Sequence, residues 1–402
     1  MSARDRRQDY GASGRRFVQS SPVVVPEHFN IAEACLISHA REWPDAVAIM
    51  DFSGKARIWT YGEMAQAAEK LAGLWQSQGV QKGDRVAILL PQCAETMIAH
   101  FAAHLMGAVS VPLFVLFGPD ALQYRLADSG AKIVVTDRTQ YPKICEIRQS
   151  LPELEQVFLR DGEDEGALGL WGSLEASHAP RLSVKALAED PAMMIYTSGT
   201  TGSPKGVLHA HRFLLGHLPC LELSFADFPN STDVGWTPAD WAWIGGLMDM
   251  AMPCFYYRVP LVAKRFDRFT AQAAFTLIRD AQVTRAFLPP TALKMMRQGK
   301  VPKDARLVSI SSGGEPLSAD LIAWAKTALG AEVNELYGQT ECNLSAGSAR
   351  AWGVAQTGWI GQAFPGFDLR ILNMEGQELA AGEVGQICVR HNTPSMFLRY
   401  WN

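Results

Sequence analysis

Short apolar runs alternate with amphipathic stretches along most of the chain. From residue 31 to residue 136 apolar positions recur at helical spacing, and each such stretch is followed by a compact apolar run typical of a buried strand. The predicted helices are Ile31–Trp43, a stretch that begins with the Thr60-Tyr-Gly-Glu63 capping box and continues through Leu74, Ala94–Met106 and Asp120–Ala127. The predicted strands are Val47–Met50, Arg85–Leu90, Val109–Leu113 and Lys132–Thr136. This order indicates a parallel sheet covered by helices on both faces.

The alternation of predicted helices and strands continues in the second half of the chain. The predicted helices there are Phe269–Ala281, Thr291–Arg297 and Leu317–Leu329, and the strands are Thr284–Leu288, Leu307–Ser311 and Glu332–Leu336. From Gly358 the helices stop, and Phe367–Leu372 and Val384–Arg390 read as short strands of a small antiparallel or barrel-like subdomain.

These patterns predict an α/β protein with two parallel-sheet subdomains covered by helices and one small β-barrel-like subdomain. The expected divisions are an arm over residues 1–30, a sheet subdomain over 31–185, a second sheet subdomain with the ligand sites over 186–350, and the small β subdomain over 351–402.

A glycine- and hydroxyl-rich loop, Thr197–Val207, follows the apolar strand Ala192–Tyr196, and Leu208–Leu215 reads as the opening of a helix. Glycines let backbone N–H groups approach an anion and hydroxyls add donors, so the loop predicts a phosphate site. These residues are Thr197, Ser198, Gly199, Thr200, Thr201, Gly202, Ser203 and Gly206, with Lys205 as the mobile positive charge. The segment Pro204-Lys205-Gly206 lacks the Gly-Lys-Ser/Thr order of a Walker loop. A merely flexible surface loop would explain the glycines but neither the strand nor the lysine.

Two further strand ends carry polar residues, Gly313-Gly-Glu-Pro316 and Tyr337-Gly-Gln-Thr-Glu341. Ligands of open α/β sheets gather at the carboxyl ends of strands, so we expect both segments to meet the phosphate loop in one crevice. The segment Trp236–Gly246 holds three tryptophans, which core packing and a ligand wall explain equally well.

Composition narrows the possible partners. The chain has 402 residues, of which 48% are hydrophobic and 19% charged, and a formal net charge of −4, which argues against nucleic acid. Its seven cysteines lie far apart without metal-ligand spacing, which favours free thiols in a reducing compartment. The most apolar windows, Val109–Phe117 and Leu247–Tyr257, are too short to span a bilayer. Five arginines precede Phe17 without an apolar core, so we expect a solvated arm in a cytoplasmic protein, with a mitochondrial presequence as the alternative.

The segment YTSGTTGSPKG at residues 196–206 resembles the signature loop of the adenylate-forming enzymes, which include acyl-CoA synthetases, luciferases and peptide-synthetase adenylation domains. The segment Gly314-Glu-Pro316 resembles the adenine-contacting segment of acetyl- and medium-chain acyl-CoA synthetases, and Tyr337–Glu341 is similar to the second hallmark of the family. The resemblance implies ATP contacts by Thr197, Ser198, Gly199, Thr200, Thr201, Gly202, Lys205, Gly314, Glu315, Pro316, Glu335, Tyr337, Gly338, Gln339 and Thr340.

Individual roles also follow from the resemblance. Tyr337 would stack on the adenine, Glu335 would lie near its amine, Thr340 would hold a phosphate oxygen and Glu341 would ligate Mg²⁺. Lys205, Thr340 and Glu341 are therefore the expected catalytic residues. The histidines His209 and His211 are expected to be helix surface or packing residues, since a carboxylate substrate is already ionised and needs no general base.

The resemblance also bears on the substrate. Positions that narrow an acetate pocket in the acetyl-CoA synthetases are glycines here, at Gly245, Gly313 and Gly338. We therefore expect a medium-chain or aryl carboxylate. Its pocket would be lined by Trp236, Trp241, Trp243 and Ile244. An amino-acid-activating domain, in which Asp240 would meet the amino group, and a non-catalytic nucleotide-binding protein remain open.

The implied reaction joins a carboxylate to ATP, giving an acyl-adenylate and pyrophosphate, and then transfers the acyl group to coenzyme A. The expected partners are these small molecules, and the oligomeric state is open. The resemblance covers only the large N-terminal lobe of the family, because the ribose-binding aspartate, the hinge and the small lobe with its catalytic lysine have no counterpart before Asn402. We accordingly expect a fragment or a degenerate relative that binds ATP weakly and turns over little on its own.

Overall fold

The structure is a computed structural model and describes residues 23–178, 184–197, 202–355 and 358–402. Its strands are β1 (Val47–Asp51), β2 (Arg57–Thr60), β3 (Arg85–Ile88), β4 (Val109–Pro112), β5 (Ala131–Thr136), β6 (Gln156–Leu159), β7 (Leu168–Gly169), β8 (Pro191–Thr197), β9 (Lys205–Ala210), β10 (Gly235–Trp236), β11 (Leu261–Ala263), β12 (Arg285–Phe287), β13 (Ser309–Gly313), β14 (Glu332–Gln339), β15 (Asn343–Gly347), β16 (Gln362–Ala363), β17 (Leu369–Leu372), β18 (Gln386–Val389) and β19 (Arg399–Tyr400).

Its helices are α1 (Glu33–Ile37, π-helical), α2 (Ser38–Glu42), α3 (Tyr61–Ser77), α4 (Ala94–Met106), α5 (Pro119–Ser129), α6 (Tyr141–Ile147), α7 (Leu170–Ala176), α8 (Phe213–Ser224), α9 (Ile244–Gly246), α10 (Met252–Tyr257), α11 (Ala271–Asp280), α12 (Pro290–Arg297) and α13 (Ala319–Leu329). A π-helical turn at Leu247–Ala251 joins α9 to α10, and single 3₁₀ turns lie at Arg148–Ser150 and Arg350–Trp352.

Backbone contacts divide the chain into two compact units. Of the described residues, those within 26–212, 234–268 and 397–402 form the larger unit, and those within 23–25, 213–233 and 269–396 form the smaller unit. Both units are built from several separate stretches of chain. The domain boundaries at residues 30, 185 and 350 stay predictions.

The larger unit is built around an eight-stranded sheet in the order β19-β9-β8-β4-β3-β5-β6-β7. The six strands β8, β4, β3, β5, β6 and β7 run parallel to one another. At the β8 edge, β9 pairs antiparallel with β8, and β19 pairs antiparallel with β9. Apolar side chains of these strands pack with those of α5 and α6 in a continuous core. A further set of strands in this unit, in the order β10-β11-β1-β2, is parallel except for the last pair.

Local sequence signals fix helix ends in this unit. The predicted capping box at the start of α3 is confirmed, because the Thr60 hydroxyl accepts the Glu63 N–H and the Glu63 carboxylate accepts the Thr60 N–H. Helix α5 begins with Pro119 and ends at Gly130, which has the left-handed conformation of a C-terminal cap.

The smaller unit contains three parallel strands, β12-β13-β14, extended by antiparallel β15 and β16. Strands β17 and β18 form a separate antiparallel pair. The α/β class and the antiparallel ending are thus confirmed. Within the described residues this ending is the antiparallel pair β17–β18, and its barrel-like form stays a prediction.

A buried ion pair ties β12 of the smaller unit to the segment after α8. The Arg285 Nε atom lies 2.8 Å from the Asp233 Oδ1 atom, and both side chains are buried. The Arg285 Nη1 atom donates to the carbonyl oxygens of Phe225 (2.6 Å) and Ala226 (2.8 Å) and to the Ser309 hydroxyl (3.1 Å). A buried charge with all of these partners holds the turn after α8 in one arrangement.

Two predicted elements need correction. The helix predicted from Leu208 begins only at Phe213, because residues 205–210 form β9 and pair antiparallel with β8. The strand predicted to end at Leu336 continues to Gln339, because β15 pairs with its last residues. Both errors came from partner strands that the apolar pattern did not identify.

No helix within the described part of the chain is long and apolar enough to cross a membrane.

Candidate functional site

The phosphate loop projects from a β-hairpin of the larger unit. Strands β8 and β9 pair antiparallel, and the last pair before the loop joins Thr197 to Lys205. The predicted phosphate ligands Ser198, Gly199, Thr200 and Thr201 lie outside the described residues. Gly202 is exposed with a φ of 132°, a conformation that favours glycine, and the Lys205 side chain is exposed. The hairpin therefore presents a cation to solvent at the end of a glycine-containing turn.

Side chains far away in sequence support the base of this hairpin. The Tyr196 hydroxyl donates to the Asp128 Oδ2 atom at 2.6 Å, and the Tyr124 hydroxyl donates to the Pro204 carbonyl at 3.0 Å. The Lys205 ammonium lies 5.1 Å from the centre of the Tyr400 ring, within cation–π range. The sequence pattern did not identify these supports, because nothing in the spacing links α5 to the hairpin.

The segment Gly314–Pro316 of the smaller unit is an exposed turn directly after β13, and Gly314 has a φ of 90°. The half-buried Glu335 side chain holds the end of this turn, because its Oε1 atom accepts the Leu317 N–H at 3.0 Å. Burial raises the pKa of Glu335, whereas the Leu317 N–H and the Arg350 charge oppose the rise. Glu335 thus has a structural role next to the predicted adenine segment.

The Tyr337–Glu341 segment forms the end of β14 and the turn into β15. Tyr337 is half-buried, Gly338 and Gln339 are exposed, and the partly exposed Thr340 and Glu341 occupy the turn. The turn is closed by a hydrogen bond from the Cys342 N–H to the Gln339 carbonyl at 3.2 Å. The Thr340 hydroxyl and the Glu341 carboxylate are therefore neighbours at the tip of the β14–β15 hairpin.

The Thr340 hydroxyl and the Glu341 carboxylate fit a magnesium ion whose other ligands are water and phosphate oxygens. Within the described ranges no group of three or more His, Cys, Asp or Glu side chains could hold a metal ion. A single carboxylate such as Glu341 suits Mg²⁺, which keeps most of its waters and takes nucleotide phosphates as further ligands.

The tryptophan segment lies in the larger unit. Trp236, Trp241, Ile244 and Gly245 are buried, and Trp243 is half-buried. The indole N–H groups of Trp236 and Trp241 have no acceptor among the described residues. Both rings contribute to the core, and each leaves one donor unsatisfied.

Asp240 is held within the same segment. Its Oδ1 atom accepts the Ala242 N–H at 2.9 Å. Burial raises the pKa of Asp240 to about 6, although the Ala242 N–H and the Arg265 charge oppose this rise. The carboxyl group is therefore already engaged in a local turn.

Close backbone packing accounts for two of the three predicted pocket glycines. A Cβ atom on Gly313 would lie 2.9 Å from the Leu336 carbonyl oxygen, and one on Gly338 would collide with the Asn343 carbonyl. The strands therefore require glycine at both positions, whether or not a pocket opens there. That these glycines widen an acyl pocket stays a prediction.

His209 and His211 are buried, and they lie on β9 and in the turn after it rather than on a helix. Their expected packing role is confirmed. His211 belongs to a histidine cluster with His100 and His104, in which the His104 and His211 rings are 5.5 Å apart and the Ser110 hydroxyl contacts both His100 (3.0 Å) and His104 (3.3 Å). Burial lowers the pKa of all three imidazoles, that of His211 to about 3.

The hairpin and the tryptophan segment belong to the larger unit, and Gly313–Pro316 and Tyr337–Glu341 belong to the smaller one. That they meet in a single crevice stays a prediction.

Comparisons with known proteins agree with these motifs. An uncharacterized acyl–CoA ligase of Bacillus subtilis (strain 168) is 26% identical, with 94% of this chain and 71% of that protein covered. An acetyl-coenzyme A synthetase of Methanothrix thermoacetophila is 30% identical, with 92% of this chain and 61% of that protein covered. The chain thus spans less than two thirds of the second relative.

A crystal structure of a Brucella canis acyl-CoA synthetase matches the fold with a TM-score of 0.84 at 27% identity, covering 93% of this chain and 69% of that one. The sequence profile of the AMP-binding enzymes matches residues 36–401, nearly the entire chain. The chain therefore belongs to the AMP-binding enzyme family.

Proposed function

We propose that this chain is the large lobe of an AMP-forming acyl-CoA synthetase, which activates a carboxylic acid with ATP. The observation that carries the proposal is the β8–β9 hairpin, whose turn ends in the exposed Lys205. An exposed ammonium beside glycine-flanked backbone N–H groups suits a polyphosphate.

The chemistry requires positioning and charge neutralisation more than proton transfer. A carboxylate oxygen attacks the α-phosphorus of ATP in line, and the bond to pyrophosphate breaks. Lys205 and the loop donors would stabilise the phosphate charge, and Thr340 would hold a phosphate oxygen. A magnesium ion held by Glu341 would supply further charge neutralisation. The thiol of coenzyme A would then displace AMP to give the thioester.

The acid is proposed to be a medium-chain or aryl carboxylate. The supporting feature is the tryptophan segment, whose large apolar rings suit an apolar tail better than acetate. An amino-acid substrate, whose ammonium group would meet Asp240, is the weaker alternative, because one oxygen of this carboxyl is already engaged by the Ala242 N–H.

A screen for pyrophosphate release with different carboxylates tests both parts of this proposal. We expect kcat/KM for hexanoate or benzoate to exceed that for acetate by about tenfold or more, because each well-packed methylene contributes about 1–3 kcal/mol. Release that depends on no carboxylate would overturn the proposed activity. A preference for acetate or for amino acids would overturn only the proposed acid.

A further inference from the structure

One face of helix α5 carries two side chains that reach the phosphate hairpin. Tyr124 and Asp128 are four residues apart and therefore lie on the same side of the helix. The Tyr124 hydroxyl donates to the Pro204 carbonyl at 3.0 Å, and the Asp128 Oδ2 atom accepts from the Tyr196 hydroxyl at 2.6 Å. Pro204 directly precedes β9, and Tyr196 is the penultimate residue of β8. The helix thus contacts the hairpin on both sides of its loop.

Asp128 also reaches the outer strand of the sheet through its main chain. Its carbonyl oxygen accepts the Trp401 indole N–H at 2.9 Å. The Trp401 backbone N–H in turn donates to the Gly206 carbonyl at 2.7 Å, beside the β9–β19 pairing. Gly206 permits this close approach, since a Cβ atom there would lie 2.7 Å from the Met194 sulfur and 3.1 Å from the Trp401 Cβ. One residue of α5 is therefore linked to β8 directly and to β9 through Trp401.

The contact at Pro204 bears directly on Lys205. The peptide unit between these two residues is planar, so a fixed Pro204 carbonyl also fixes the direction of the Lys205 N–H. The proline ring restricts its own φ, which removes a further degree of freedom. Gly202, two residues earlier, is exposed and has a φ that few other residues adopt. The Tyr124 hydroxyl therefore restrains the chain between the conformationally permissive glycine Gly202 and the first residue of β9.

We infer that α5 is the positioning element of the phosphate hairpin, with Tyr124 and Asp128 as positioning residues that act through Pro204 and Tyr196. They hold the two described ends of the loop, Tyr196 and Pro204, so that the exposed Lys205 side chain faces the anion. This inference rests on the proposed function for its consequence in nucleotide binding. Its structural part, the restraint of the loop, is independent of that function.

The test compares Tyr124→Phe with a matched control. Tyr141→Phe removes the same kind of bond, from a tyrosine hydroxyl to the Glu165 carbonyl at 2.5 Å, at a site away from the hairpin. We expect amide hydrogen exchange in peptides spanning residues 202–206 to become about fivefold faster in Tyr124→Phe and to stay unchanged in Tyr141→Phe. The Kd for ATP should rise about fivefold in Tyr124→Phe alone.

A second variant, Tyr196→Phe, tests the link through Asp128. Because a hydrogen bond to a carboxylate is stronger, we expect a loss of ATP affinity of about tenfold and faster exchange of the same peptides. Wild-type exchange rates and ATP affinity in both hairpin variants would overturn the inference. If both variants exchange faster but the wild type itself binds no ATP, the restraint of the loop is supported and the proposed function is contradicted.

Discussion

Lowering the pH from 7.5 to 5.5 is expected to reduce the free energy of unfolding by about 4 kcal/mol through the cluster of His100, His104 and His211. All three side chains are buried, and burial lowers the pKa of each, that of His211 to about 3. The unfolded chain binds protons on these imidazoles below about pH 6.5, whereas the folded chain does not. The stabilisation is therefore complete well above pH 6.5 and falls as the imidazoles of the unfolded chain bind protons; for His211 the loss continues until about pH 3. At pH 5.5, one unit below the unfolded pKa of about 6.5, the loss amounts to about 1.4 kcal/mol per histidine.

Asp240 contributes with the opposite sign. Burial raises its pKa to about 6, so its cost at neutral pH is relieved as the pH falls through this value. Comparing the pH dependence of a histidine variant with that of the wild type cancels the contribution of Asp240, which both proteins share. In urea denaturation at both pH values, His211→Gln should lose about 1.4 kcal/mol less than the wild type on acidification. The exposed His178, changed to Gln, serves as control and should leave the pH dependence unaltered. Equal pH dependence in His211→Gln and wild type would show that the cluster is not the cause.

Replacing Arg285 by Met is expected to destabilise the smaller unit by about 3–5 kcal/mol. The substitution leaves the Asp233 carboxylate buried without its cation, and it removes the donor that serves the Phe225 and Ala226 carbonyls. The double variant Arg285→Met with Asp233→Asn should recover part of this loss. The amide oxygen of the new Asn side chain can accept the Asn230 N–H, and its NH2 group can donate to the Thr284 hydroxyl; the corresponding contacts of Asp233 measure 2.8 and 3.1 Å.

An exposed ion pair of the same unit provides the control for this experiment. Arg370 lies 2.8 Å from Asp368 with about half of its side chain exposed, so Arg370→Met should cost less than about 1 kcal/mol. Unfolding free energies from urea titrations compare the three variants. A value for Arg285→Met as small as that for Arg370→Met would contradict a structural role of the buried pair.

Local sequence patterns predict a feature correctly where the residue's neighbours in sequence determine its environment. The capping box at Thr60, the alternation of strands and helices, and the exposure of Lys205 all belong to this class. The helix predicted from Leu208 is instead the end of β9, and the period-two alternation of Leu208, His209 and Ala210 is typical of a strand. Such short runs are ambiguous until the pairing strand is known.

Long-range contacts could not be predicted from the sequence. The hydrogen bond between Tyr196 and Asp128 joins residues 68 positions apart, and the histidine cluster brings α4 next to the turn after β9. The pocket glycines show a different limit. The sequence presents Gly338 as missing side-chain volume, whereas the structure shows that the Asn343 backbone occupies the space.

The central claim is that the hairpin around Lys205 binds the phosphates of ATP, and calorimetric titration of the chain with MgATP tests it most directly. We expect weak saturable binding that becomes about tenfold weaker in Lys205→Met, since the variant loses a charge-assisted contact. Lys300→Met removes an exposed lysine from the other unit and should bind as the wild type does. The absence of saturable binding, or equal affinity in Lys205→Met and wild type, would contradict the account.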